Sequence, residues 1–207
     1  MPTHELVTVR DEISEYWHSR DQVWTKLPFH GFGSWERHSA FCVAKDWLQD
    51  TGGAILVHRK RGFSDAPYMA YIEFWGVLQA TFVQQDALGE LSFALTGEKV
   101  SAEQMGESGW KKVRDLRNKA AGHPTRKDRG TKGQVFRSVT GRDRKSYESI
   151  DMMIETEGVR DHVTINLGQI LDEYDREAAA ILQRLFDQLR VLIDPAAETL
   201  PCTPEPS

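Results

Sequence analysis

At 207 residues, 40% apolar and with six Trp, the chain can bury a sizeable core, which excludes a disordered polymer. It has no apolar run long enough to span a bilayer, its Met-Pro-Thr-His-Glu-Leu start is not a signal peptide, and two cysteines cannot build a disulfide framework. A net charge of −5 argues against a polyanionic ligand until its distribution is considered. Lys111 to Lys145 holds 13 Lys and Arg against 3 Asp and is +10, leaving −15 for the rest. Such a basic segment on an acidic body is the footprint of a local polyanion-binding face. The expectation is one soluble, cytoplasmic domain over residues 1–193.

The N-terminal third reads as helical. Glu5 to Trp17 places Val9, Ile13, Tyr16 and Trp17 at helical spacing. Ser34 is an N-cap candidate for a second helix running to about Asp50, with Ala40, Phe41, Ala44, Trp47 and Leu48 on one face and Gly52-Gly53 as its stop. His58 to Gly62 then reads as an exposed loop with cationic side chains that could touch phosphate. From Pro67 to about Leu95 comes the longest helix, apolar around most of its circumference, as expected of an element that is buried or paired with another chain. Gln84, Gln85 and Asp86 interrupt that surface and can support a site on a neighbouring helix. Ser101 with Gln104 has capping-box spacing. Trp110, Val113, Leu116 and Ala120 give the next helix an apolar stripe flanked by Arg114 and Arg117.

That helix should end at Gly122, because Gly favours a helix C-terminus and Pro124 biases His123 towards extended backbone. In an unbroken helix Arg117 and His123 would point about 120° apart. A break at Gly122 lets the imidazole swing back beside the guanidinium. Thr125 to Lys145, rich in Gly and charge, reads as a partly mobile segment. Ile150, Met152 and Ile154 alternate, as do Val163, Ile165 and Leu167, with Glu157-Gly158 as the hairpin turn and Gln134 to Val139 as a third strand. Asn166 with Gln169 opens a last helix to about Ile193 as a capping box, with Ile165 and Ile170 as staple. Residues 194–207, with four of the eight prolines, read as a disordered tail.

Arg117, Asn118, His123 and the Gly-His-Pro ending resemble the HEPN superfamily, whose signature is an Arg, a polar residue and a His four to six positions on. The upstream helix ending Phe82-Val83-Gln84-Gln85-Asp86-Ala87 is a second point of similarity, and the good match covers residues 67–125. The resemblance implies a mainly α fold, a HEPN-like helical bundle in which the strands at about 134–167 are a small antiparallel insertion, a hairpin or three-stranded. It implies a metal-independent endoribonuclease that leaves a 2′,3′-cyclic phosphate, with no cofactor. Arg117 would clamp the phosphate, Asn118 position it and His123 serve as general acid or base. Arg114, Lys119, Arg126, Lys127 and Arg129 are the candidate RNA contacts. Two motifs meeting in a homodimer, in a toxin or phage-defence setting with a cognate antitoxin or partner protein, complete what it implies. A non-catalytic HEPN-like module for RNA or nucleotide binding, or for oligomerisation, is the alternative. No His-x3-His or Cys pair offers zinc spacing.

Overall fold

The computed structural model describes residues 4–20, 31–100, 108–122, 136–141, 145–156 and 158–198. Among them are α1 (Glu5–His18), α2 (Trp35–Arg61), α3 (Pro67–Thr96), α4 (Gly109–Arg117), a π turn (Asn118–Gly122), strands β1 (Phe136–Thr140), β2 (Ile150–Thr156) and β3 (Val159–Ile165), and α5 (Leu167–Glu198). The architecture is mainly helical, with a small antiparallel sheet of order β1-β2-β3. No described helix is long and apolar enough to cross a membrane.

Local signals start and stop these helices. The Ser34 hydroxyl accepts the Arg37 amide at 3.2 Å, Ser108 accepts that of Lys111 at 3.3 Å, and Asn166 accepts that of Gln169 at 2.8 Å. Each supplies an acceptor for one of the orphan donors of a first turn. Gln169 turns its own side chain to Glu173, so the last cap lacks the reciprocal half of a capping box. Leu167, expected on the hairpin strand, is instead the first residue of α5. The α3 helix opens on Pro67 and closes at Gly97, whose φ of 84° lies in the left-handed region that glycine tolerates.

The second helix departs most from expectation. It runs to Arg61, straight through Gly52-Gly53. Tertiary packing overrides the weak local preference here: a Cβ on Gly52 would already touch Val7 and Arg10 of α1 at 3.4 Å and Gln84 of α3 at 3.6 Å. Gly52 is buried where three helices meet. Its inward face is Phe41, Ala44, Leu48 and Gly52, while Trp47 is turned outward. Gly53 has open space around its Cβ position. Gly53→Ala should therefore stabilise the fold by about 0.5–1 kcal/mol through helix propensity, readable as a raised urea midpoint.

The stretch expected as an exposed loop is thus the last turn of α2. His58 Nδ1 lies 2.6 Å from the Tyr147 hydroxyl, and its Nε2 faces Glu73 at 3.6 Å. The Arg59 side chain is 6% exposed and its charge is spent on Asp172 at 2.6 Å, so Arg59 itself does not face a phosphate. Burial holds the His58 pKa below its ordinary 6.5, with Arg61 adding to the effect and Glu73 opposing it. Burial would raise Glu73, but the Ser64 amide and Arg61 outweigh it and hold that carboxylate below its ordinary range. Protons therefore bind the unfolded chain more readily at both groups. Stability should be full above pH 6.5 and fall as pH drops, first through His58 and then, below 4.5, through Glu73. In urea titrations His58→Gln should flatten the upper part of that slope.

The sheet has one buried face, with Ser138, Thr140, Ile150 and Met152 turned towards the helices. Ile150 and Met152 belong to the same core as Trp110, Leu171 and Phe186. Gly158, at φ 84°, turns β2 into β3. The third strand expected at Gln134 to Val139 is present as β1. Lys145 is buried, its Nζ donating to the Gly141 carbonyl at 2.7 Å. At the other end α5 persists to Glu198, past the expected start of a disordered tail. Asp194 is tied back to the first helical region, accepting from the Tyr16 hydroxyl at 2.6 Å and from Arg20 at 3.2 Å.

Candidate functional site

The basic motif sits on α4, a nine-residue helix docked between α3 and α5. Its stripe of Trp110, Val113 and Leu116 is buried, with Ala120 continuing it on the π turn. Glu177 of α5 caps its start, accepting the Gly109 and Trp110 amides at 2.9 Å each. A carboxylate on two first-turn amides is favoured by hydrogen bonding and by the helix dipole together. Spacing of three and four then turns Arg114 and Arg117 towards α3.

There they meet one aromatic ring. The Arg117 guanidinium lies 4.3 Å from the Phe82 ring centroid, and that of Arg114 lies 4.5 Å away. Two cations on one ring repel each other, and the surroundings answer differently on the two sides. Arg114 has a carboxylate, Asp86, at 3.6 Å. Arg117 has neutral acceptors only: Nε and Nη2 donate to Gln79 Oε1 at 3.2 and 3.1 Å, and Nη1 donates to Asn118 Oδ1 at 3.2 Å. Among the described residues no carboxylate compensates its charge. Three of its five N–H donors are engaged, leaving one on each terminal nitrogen. That pair of donors is the edge that two phosphate oxygens fit.

Of the sequence-derived candidates, Arg114, Arg117 and Asn118 come together here. Lys119 follows on the π turn, half-buried. His123, Arg126, Lys127 and Arg129 lie outside the described residues, as do the break after Gly122 and the capping pattern at Ser101. The helical backbone continues through Gly122 as a π turn. The α3 partners are partly other than expected. Asp86 faces the motif and Gln85 reaches the same helix, donating to the Trp110 carbonyl at 3.0 Å, whereas Gln84 turns to Thr51 of α2 at 3.4 Å. At 100° per residue, positions 84 and 85 leave the face that carries 79, 82 and 86. Gln79 was missed. It lies on the same face as Phe82 and Asp86, and is a lone amide between Leu78 and Ala80 in an otherwise apolar run, which was the available signal.

The same face of α3 continues away from Gln79 as an exposed apolar stripe. Tyr68 is 74% exposed, Met69 52%, Ile72 61% and Trp75 41%. Positions 68, 72, 75 and 79 follow helical spacing, so the stripe runs up to the Arg117 clamp.

No protein-family model matches the chain, and no curated protein and no solved structure matches it significantly.

Proposed function

We propose that the chain is a HEPN-type endoribonuclease that cleaves RNA by attack of a 2′-hydroxyl on the adjacent phosphate, leaving a 2′,3′-cyclic phosphate. The observation that carries this reading is the Arg117 guanidinium. It is seated on Phe82, held by Gln79 and Asn118, and carries a charge that no described carboxylate offsets. A phosphorane gains charge on its oxygens as it forms, and a pre-oriented cation stabilises it without reorganising. Asn118 presents its carbonyl oxygen to Arg117, so its amide donors are turned to other work: orienting the phosphate or holding an imidazole. His123 supplies the titratable group, as base towards the 2′-hydroxyl or acid towards the leaving 5′-oxygen.

One histidine per motif cannot be base and acid in the same step, so two motifs must meet. The stripe from Tyr68 to Trp75, continuous with Gln79, is the surface a second copy of the chain would cover. Exposed apolar patches of this kind mark interfaces. Arg114, Lys119, Arg126, Lys127 and Arg129 extend the positive surface for the RNA backbone. A toxin or phage-defence role, with an antitoxin or other partner, follows from the resemblance alone.

Labelled RNA incubated with the purified chain in EDTA tests the reading. The expected products end in cyclic phosphate, and RNA affinity should fall steeply as salt rises. Salt-dependent binding without cleavage would overturn the enzyme and leave a non-catalytic RNA-binding module.

A further inference from the structure

The π turn after α4 leaves one carbonyl without its helical donor, and the sheet supplies a replacement. In α register the Lys119 carbonyl would accept the amide of residue 123. In the π register the donor shifts to residue 124, which is proline and has no N–H. The π turn stops at Gly122, where the next bond would need that missing hydrogen. The Ser138 hydroxyl, from the middle of β1, donates to the Lys119 carbonyl instead. Ser138 is buried, and β1 packs against the turn. A part-buried carbonyl without a donor is costly, so the hydroxyl and the proline, 14 positions apart in sequence, complement each other.

We infer that Ser138 is a positioning residue for the candidate site: its hydrogen bond to Lys119 locks the π turn that follows Arg117 and opens with Asn118. This rests on the proposed reading of the motif and goes beyond it. It gives the sheet a task, bracing the turn that carries Asn118. The strand is anchored for that task by its full register with β2, Ser138 opposite Ile154 and Thr140 opposite Met152. Two residues along on the same buried face, Thr140 provides an internal comparison: its hydroxyl is buried and bonded to no described group.

The experiment compares Ser138→Ala with Thr140→Val by hydrogen exchange and RNA cleavage. Ser138→Ala should speed exchange of amides 116–122 roughly tenfold, the size expected for one lost hydrogen bond. The protection of α2 and α5 should be unchanged. In cleavage, kcat should fall by roughly tenfold with little change in KM, and Ser138→Thr should restore both. Thr140→Val should leave turn exchange and kcat as they are. Ser138→Cys, close in size and a weak donor, should show the same local loosening if the alanine variant does not fold. Exchange in the Ser138 variants no faster than in Thr140→Val would overturn the positioning role, whether or not the chain cleaves RNA. A wild-type chain that cuts no RNA, yet whose turn loosens in Ser138→Ala, would remove the nuclease and leave the lock.

Discussion

Arg117→Ala should lower RNA cleavage by about 10²–10³-fold, the usual cost of deleting one pre-oriented donor to a developing oxyanion. The fold should persist, because the side chain is half-exposed and its partners are neutral. Arg117→Lys should recover little. A lysine ammonium is a point charge and cannot hold Gln79 and Asn118 on two edges while offering a third to phosphate. His123→Ala should cost about 10²–10⁴-fold, the span typical of a general acid or base. The rate should follow a bell-shaped pH profile in the wild type and lose a limb in the variant. Single-turnover cleavage of a short labelled RNA measures all three. Activity that survives both alanine substitutions would remove the site from the motif. Arg114→Ala is the useful contrast: its charge is already met by Asp86, so it should weaken binding more than turnover.

Gly109→Ala should destabilise the fold by about 3 kcal/mol, at the upper end of what overpacking costs. A Cβ at this position would run into the Tyr174 amide nitrogen and lie 2.8 Å from the Glu173 backbone, and neither is the movable end of a side chain. The α4 helix would have to lift from α5. That would also pull the Gly109 and Trp110 amides from Glu177 and shift the buried Trp110, which packs edge-on to Tyr174 at 5.8 Å. Urea titration against the wild type gives the change, and Gly53→Ala, expected to move the midpoint the other way, controls for glycine substitution as such. A change within about 1 kcal/mol would mean that α4 does not sit on α5 at this distance. Because Arg114 and Arg117 ride on α4, the site and the core share this contact.

Much of this molecule was legible in its residues because the signals are local. Periodicity in α1, α3 and α5, the caps at Ser34 and Asn166, and the glycine turn at Gly158 each act within a few positions. The charge asymmetry and the Arg117-Asn118 pair late in a helix with an apolar stripe were also readable before any fold. Gly52 was not. Its propensity argues for a stop, yet Gly52 is buried where α2 meets α1 and α3, and that tertiary packing carries the helix on. The end of α5 was misjudged for a like reason, since Asp194 is held by Tyr16 and Arg20 from the far end of the chain.

The residues themselves determined that a cationic fork would stand at the end of a helix, because spacing and proline are properties of the chain. Which groups would surround that fork was decided by tertiary structure. Gln79 and Phe82 reach Arg117 from 38 and 35 positions away, and Ser138 reaches the turn from 19 positions beyond Lys119. Contacts across such separations depend on how helices and strands dock. Docking is settled by the burial of a shared core, which no window of neighbouring residues contains.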